Sequence, residues 1–180
     1  MKKRFTVAKA RNELEAWKNL NEQDSKAQEM LVEYWQDGAG WEWITNKNIS
    51  DFAAKYAWSA AFVAFIMRLQ YPEFPKSATH ANYTVTARER AKEGKKTFIA
   101  FEPKNYKPKA GDIAVKRRGY TGTLEGLKTT DKTHGDIVSE VNNGYITVIG
   151  GNVSNTVKES IIPTENGYIT NKKWFAIIKM

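Results

Sequence analysis

The chain contains no cysteine. That absence removes disulfide staples, thiolate zinc sites and thiol nucleophiles together, and it leaves the redox compartment undetermined. Histidine is nearly as scarce. His80 and His134 are the only two, so any mechanism that needs an imidazole base has two candidates. Long apolar runs are missing too: Ala60 to Met67 is the longest, far short of the roughly 20 residues of a membrane-spanning helix. Internal repeats and low-complexity segments are also absent. Met1-Lys2-Lys3-Arg4 is basic, but Phe5-Thr6-Val7-Ala8 gives way at once to Lys9 and Arg11, which is not the apolar core of a signal peptide. The expectation is a protein made in the cytoplasm without a Sec signal.

What is present reads as globular. A chain of 180 residues can bury a real core, and one domain over 1–180 is expected, with a helical part over 1–48 and the core over 49–180. Lys and Arg number 28 against 20 Asp and Glu, a net charge of +8. That balance favours an anionic partner such as nucleic acid, a membrane surface or the bacterial cell wall. The basic residues cluster only briefly, at Lys92 to Lys96, Lys104 to Lys109 and Lys116 to Arg118, and acids interleave with them. No nucleic-acid motif accompanies them, so a nucleic-acid partner is not expected.

Periodicity divides the chain into a helical first half and an extended second half. Val7 to Leu20 is rich in helix formers, and a second helix is expected from Asp24 or Ser25 to Trp35, stopping at Asp37-Gly38-Ala39-Gly40. Asn48-Ile49-Ser50-Asp51 reads as a turn leading into Phe52 to Tyr56. A third helix follows Trp58-Ser59 with Phe62, Val63, Ile66 and Met67 at helical spacing, and Tyr71-Pro72 ends it. A fourth begins within Ser77 to Tyr83 and closes at Gly94. Strands are expected at Thr97 to Phe101, Gly111 to Val115, His134 to Val141, Tyr145 to Ile149 and Trp174 to Lys179, with hairpin signals at Asn142-Asn143-Gly144 and Asn166-Gly167. Gly119 to Lys132 is a polar loop long enough to act as a flap. Helices first, then a mostly antiparallel sheet, means α+β.

The residues that could do chemistry are few. Ser59 opens the apolar helix, where unpaired N–H groups and the helix dipole favour negative charge, a setting for a nucleophile as well as for a plain N-cap. His134 begins a strand beside the polar loop and is a candidate base. Asn152, after the next strand, is placed to orient it. Asp136 shares a face with His134 by strand alternation and would tune the imidazole or bind a cationic group. For His80 the residues leave several roles open: substrate binding, an oxyanion donor, the base itself, or a helix-start histidine satisfying backbone groups. His80, His134 and Asp136 together would suit zinc by residue type.

Taken in order, Trp58-Ser59-Ala60-Ala61-Phe62-Val63, Phe74-Pro75-x-Ser77-Ala78-x-His80-x-x-Tyr83, Pro108-x-x-Gly111-Asp112-Ile113, His134-x-Asp136-Ile137-Val138 and Val148-Ile149-Gly150-Gly151-Asn152-Val153 resemble the DUF2272 family. That family is in turn similar to the CHAP and NlpC/P60 papain-like amidases and endopeptidases of peptidoglycan. The resemblance covers about Leu31 to Ile178. It implies a papain-like fold over 49–180, with Ser59 at the position of the catalytic Cys, His134 as base and Asn152 as orienter, and with Trp58, His80, Tyr83 and Asp136 beside the substrate. It implies no metal or other cofactor. The replacement of Cys by Ser is a real departure, because a hydroxyl must surrender its proton during attack. The implied function is a peptidoglycan-directed hydrolase acting in the cell wall or periplasm, such as a phage lysis enzyme or a secretion-system effector with an immunity or adaptor partner. The alternative is a noncatalytic wall-binding module of the same fold.

Overall fold

The computed structural model describes residues 1–180 and is α+β. The helices are α1 (Lys2–Ala16), α2 (Ser25–Glu33), α3 (Ile49–Ala53), α4 (Ser59–Arg68) and α5 (His80–Lys92). Six strands follow: β1 (Ile99–Phe101), β2 (Ile113–Arg117), β3 (Thr133–Asn142), β4 (Tyr145–Gly150), β5 (Lys158–Pro163) and β6 (Trp174–Lys179). They form one sheet in the order β1-β6-β2-β3-β4-β5, with every neighbouring pair antiparallel.

Helix α4 is the centre. Every residue from Ser59 to Met67 is buried, as expected for a helix that is apolar on all sides. A large apolar cluster joins it to α1, α2, α5 and the sheet, while a smaller one containing Ala114, Val138, Val148 and Ile177 is separate from it. Long runs of buried residues in β3 follow from this double cover.

Helix α2 does not stop at Glu33; it continues through a π-helical turn over Tyr34–Ala39 and ends at Gly40 in the left-handed region, φ 81°. The wider turn brings Gly38 against α4, where a methyl group would fall on the carbonyl oxygen of Ala61 and 2.8 Å from Phe65 N. Only glycine fits so close an approach of two backbones. Around this contact Trp17, Tyr34, Trp58, Phe62 and Phe65 form an aromatic cluster, with Trp17 and Trp58 stacked at 4.7 Å.

Two expectations need correction. Asn48 to Asp51 enters the short helix α3 rather than a simple turn. Strand β5 has no counterpart in the sequence reading, because only Ile162 of its residues is buried and a solvated edge strand carries almost no apolar alternation. Gly119 to Lys132 is tied to its neighbours: Arg88 Nη1 donates to the carbonyls of Leu124, Glu125 and Leu127 at 3.1, 2.6 and 2.9 Å, and Arg117 Nη2 to that of Gly122 at 2.9 Å. Asn166-Gly167 does form a tight turn, with φ of 51° and 82° and a two-way bridge between Glu165 and Tyr168.

The fully buried carboxylate of Asp112 joins distant parts of the chain. It receives Lys3 Nζ at 2.5 Å, Tyr106 Oη at 3.0 Å, Lys109 N at 2.8 Å and Met180 N at 3.1 Å. Charge-assisted bonds of this kind satisfy a buried carboxylate that would otherwise be expensive.

Gly38→Ala is expected to lower stability by about 3 kcal/mol, the upper range for overpacking a tight core. Urea unfolding checks this: a change below about 0.5 kcal/mol would mean that the two backbones are not in such close contact.

Candidate functional site

Ser59 is the first residue of α4, and Trp58 caps the helix without a side-chain hydrogen bond. The hydroxyl does not serve as an N-cap. Ser59 Oγ lies 3.1 Å from His134 Nδ1 and 3.0 Å from His80 Nε2, held between the only two imidazoles of the chain. His134 comes from the start of β3 and His80 from the start of α5. Ser59 and His134 are each 2 % exposed and His80 6 %.

The partners determine where each proton sits. Gly135 N–H can only donate, and it donates to His80 Nδ1 at 3.0 Å, so that nitrogen carries the lone pair. Burial first, with the positive charge of Arg118 and Lys116 nearby, holds His80 well below the usual histidine range, so the ring is neutral and its proton is on Nε2. His80 Nε2–H therefore donates to Ser59 Oγ, and the hydroxyl donates onward to His134 Nδ1. His134 Nε2–H in turn donates to Asp136 Oδ1 at 2.6 Å. Lys116 Nζ completes the chain at 3.3 Å from Asp136 Oδ2.

Asp136 is buried, which alone would raise its carboxyl, but the hydrogen bond and charge of His134 with the charge of Lys116 bring it below the usual carboxylate value. It is ionised at neutral pH, the form that accepts the His134 Nε2–H. Tyr83, whose hydroxyl contacts His80 Nδ1, is raised well above the ordinary phenol by burial and by the charge of Asp136, so it keeps its proton.

Two glycines make room for this array. A methyl on Gly135 would strike the Tyr83 hydroxyl, and one on Gly150 would strike Asp136 Oδ1. Beside the array is a pocket of about 370 Å³ whose lining includes Ser59, Ala60, Thr79, His80 and Arg118. Within the chain, the N–H groups of Ser59 and Ala60 have no acceptor; the first paired amide of α4 is that of Phe62, bonded to the Trp58 carbonyl. A hydroxyl with an imidazole acceptor, a carboxylate behind that imidazole and free amides alongside is competent for nucleophilic attack on a carbonyl. A second cleft of about 450 Å³, near Glu102, Arg117 and Trp174, holds no comparable pairing of nucleophile and base.

The residues singled out in the sequence fall into three groups. Ser59, His80, His134 and Asp136 come together, with Tyr83 behind His80. Asn152 is not the orienter: β4 ends at Gly150, Asn152 follows it in the left-handed region with φ 54°, and the nitrogen it was expected to hold is bonded to Asp136. Trp58 cannot touch a substrate, since it is fully buried with its indole N–H on Glu22 Oε2 at 3.0 Å. Tyr83 and Asp136 are likewise sequestered and act on the imidazoles. His80, His134 and Asp136 do not form a cluster able to hold a metal ion.

Lys116 and the Gly135 amide were missed. A lysine directly after the apolar run Ile113 to Val115, paired opposite His134, was the available signal for the first. No side-chain pattern announces the second.

An α+β chain with a buried Ser–His–Asp array at a helix start is thus defined by its geometry. Its family is the one described as "Uncharacterized protein conserved in bacteria (DUF2272)": the match spans residues 17–177, and the chain belongs to that family. No curated protein and no solved structure matches it.

The depressed His80 has a consequence for pH. The unfolded chain takes up a proton near pH 6.5 that the folded ring refuses, so this contribution to stability is whole above that pH and erodes as pH falls below it. From pH 7 to pH 5 the unfolding free energy of the wild type, from urea titration, should fall more steeply than that of His80→Gln, by at most about 1.4 kcal/mol per pH unit for one proton. Parallel slopes would show that His80 is not held neutral.

Proposed function

We propose that the chain is a serine hydrolase that cleaves an amide bond of peptidoglycan. The observation that carries this reading is the position of Ser59 Oγ, 3.1 Å from the His134 nitrogen opposite the one bonded to Asp136. His134 Nδ1 takes the hydroxyl proton as Oγ attacks the carbonyl carbon, and the imidazolium is stabilised by Asp136. The Ser59 and Ala60 amides are placed to receive the oxyanion, while His80 Nε2–H steadies negative charge on Oγ as it develops. Collapse of the tetrahedral intermediate breaks the C–N bond, and His134 returns the proton to the leaving amine. Water then repeats the sequence on the acyl-enzyme and releases the acid.

The choice of peptidoglycan rests on the likeness of the Trp58-Ser59-Ala60-Ala61-Phe62 helix start and of a strand His134 to the nucleophile helix and base of CHAP-like enzymes, and on the net charge of +8, which suits an anionic wall. The papain-like assignment rests on the same likeness together with the order of a nucleophile-bearing helix before an antiparallel sheet. Ser59 takes the place of the thiol and Asp136 that of the polar orienter. The reading places the activity in the cell wall or periplasm, as for a phage lysis enzyme or an antibacterial effector.

Incubation with purified peptidoglycan, followed by mass analysis of the muropeptides, is expected to show new fragments with a free amine and a free carboxyl. Ser59→Ala should lower the rate by at least about 10³-fold, and Asp136→Asn by about 10⁴-fold with substrate binding retained. Unchanged muropeptides with the wild type would overturn the catalytic reading and leave a wall-binding module, which pull-down by insoluble peptidoglycan would detect.

A further inference from the structure

The walls of the Ser59 pocket carry an uneven charge. Arg118, Lys132 and Asp131 line it. Neither cation has an ion-pair partner, whereas the Asp131 carboxylate accepts the Lys128 amide of its own turn at 2.7 Å. Arg118 and Lys132 face each other across the base of the loop, where Arg118 N–H donates to the Lys132 carbonyl at 3.1 Å. The first residues of two long helices, α4 and α5, lie on the same pocket, so two positive dipole ends add to the two free cations. Thr133, also in the lining and 6 % exposed, has a hydroxyl with no hydrogen-bond partner. A buried polar group without a partner is uncommon in a folded protein and marks a place where something else supplies one.

We propose that this pocket is built to hold a carboxylate of the substrate, gripped by Arg118 and Lys132 beside the scissile amide. The inference takes the Ser59 pocket as the substrate site and so rests on the reading above; it adds the substrate class, a peptide that bears a free carboxylate next to the bond cut. The guanidinium of Arg118 offers a planar fork that matches the two oxygens, and Lys132 adds a point charge. Neutral peptides, and peptides whose carboxyls are amidated, leave both cations unanswered in the bound state and are discriminated against for that reason.

The test uses the full-length Ser59→Ala protein, which binds without turnover, and two probes: L-Ala-γ-D-Glu-L-Lys-D-Ala-D-Ala with free carboxylates, and the same peptide with every carboxyl amidated. Calorimetry should show the carboxylate form binding about tenfold tighter or more at low salt, with the margin shrinking as salt rises. Adding Arg118→Gln and Lys132→Gln should remove the discrimination. Lys26→Gln, which changes charge on the exposed side of α2, should leave it unchanged. Equal binding of the two peptides, or discrimination that survives the double substitution, overturns the proposal. The wild type run with the same peptides separates the two readings. Turnover without discrimination removes the carboxylate site and leaves the hydrolase; discrimination without turnover of peptides or peptidoglycan leaves the carboxylate site as a binding device and removes the hydrolase.

Discussion

A polar array buried this deeply persists only if each of its hydrogen-bonding groups finds a partner. Ser59, His80, His134 and Asp136 are all nearly inaccessible, and an unpaired buried group costs about 1–3 kcal/mol. The Gly135 amide is the constraint that decides the arrangement. Because it can only donate, His80 must accept at Nδ1 and donate at Nε2, and every later proton in the chain then has one direction, from His80 through Ser59 and His134 to Asp136. Reverse any one bond and two donors or two acceptors would meet in the interior. The backbone of β3 therefore sets the polarity of a side-chain site in which only Ser59 comes from neither of its flanking elements.

Support for the site reaches well beyond it. Trp58, one residue before the hydroxyl, is locked between Trp17 of the segment after α1 and the carboxylate of Glu22. Tyr34 joins the same cluster through Trp17 Nε1, at 2.9 Å, and through Glu13. The N-terminal helices thereby fix the start of α4 from behind, while the sheet presents His134 and Asp136 from the front. Precision in a site of this kind comes from side chains whose own rotamers are held by packing, and these aromatic contacts supply it.

Much of this was legible in the residues, and what was not has physical reasons. The all-apolar stretch after Ser59 gave α4, and the scarcity of histidine gave the two imidazoles. The runs His134 to Val141 and Trp174 to Lys179 gave strands where apolar side chains alternate or persist. The edge strand β5 escaped because solvent, not a core, faces most of it. Asn152 was expected to orient His134 because a hairpin in ordinary register extends past Gly150; the strand ends there instead, and Asp136, two residues along the same strand, is nearer. Trp58 was expected beside substrate on the strength of the family resemblance, but its indole N–H has a buried carboxylate to satisfy. The ties of the loop over Gly119 to Lys132 left no local signal because Arg88 and Arg117, which hold it, belong to other elements.

The Asp112 carboxylate gathers Lys3 and Met180 at the start of β2, whereas Arg118, at the far end of the same strand, stands on the rim of the Ser59 pocket. Five residues of extended chain separate the two. The tie that holds Lys3 and Met180 to the sheet is thus made at one end of β2 while the cavity opens at the other, so the latch that secures the fold leaves the mouth of the cavity unobstructed.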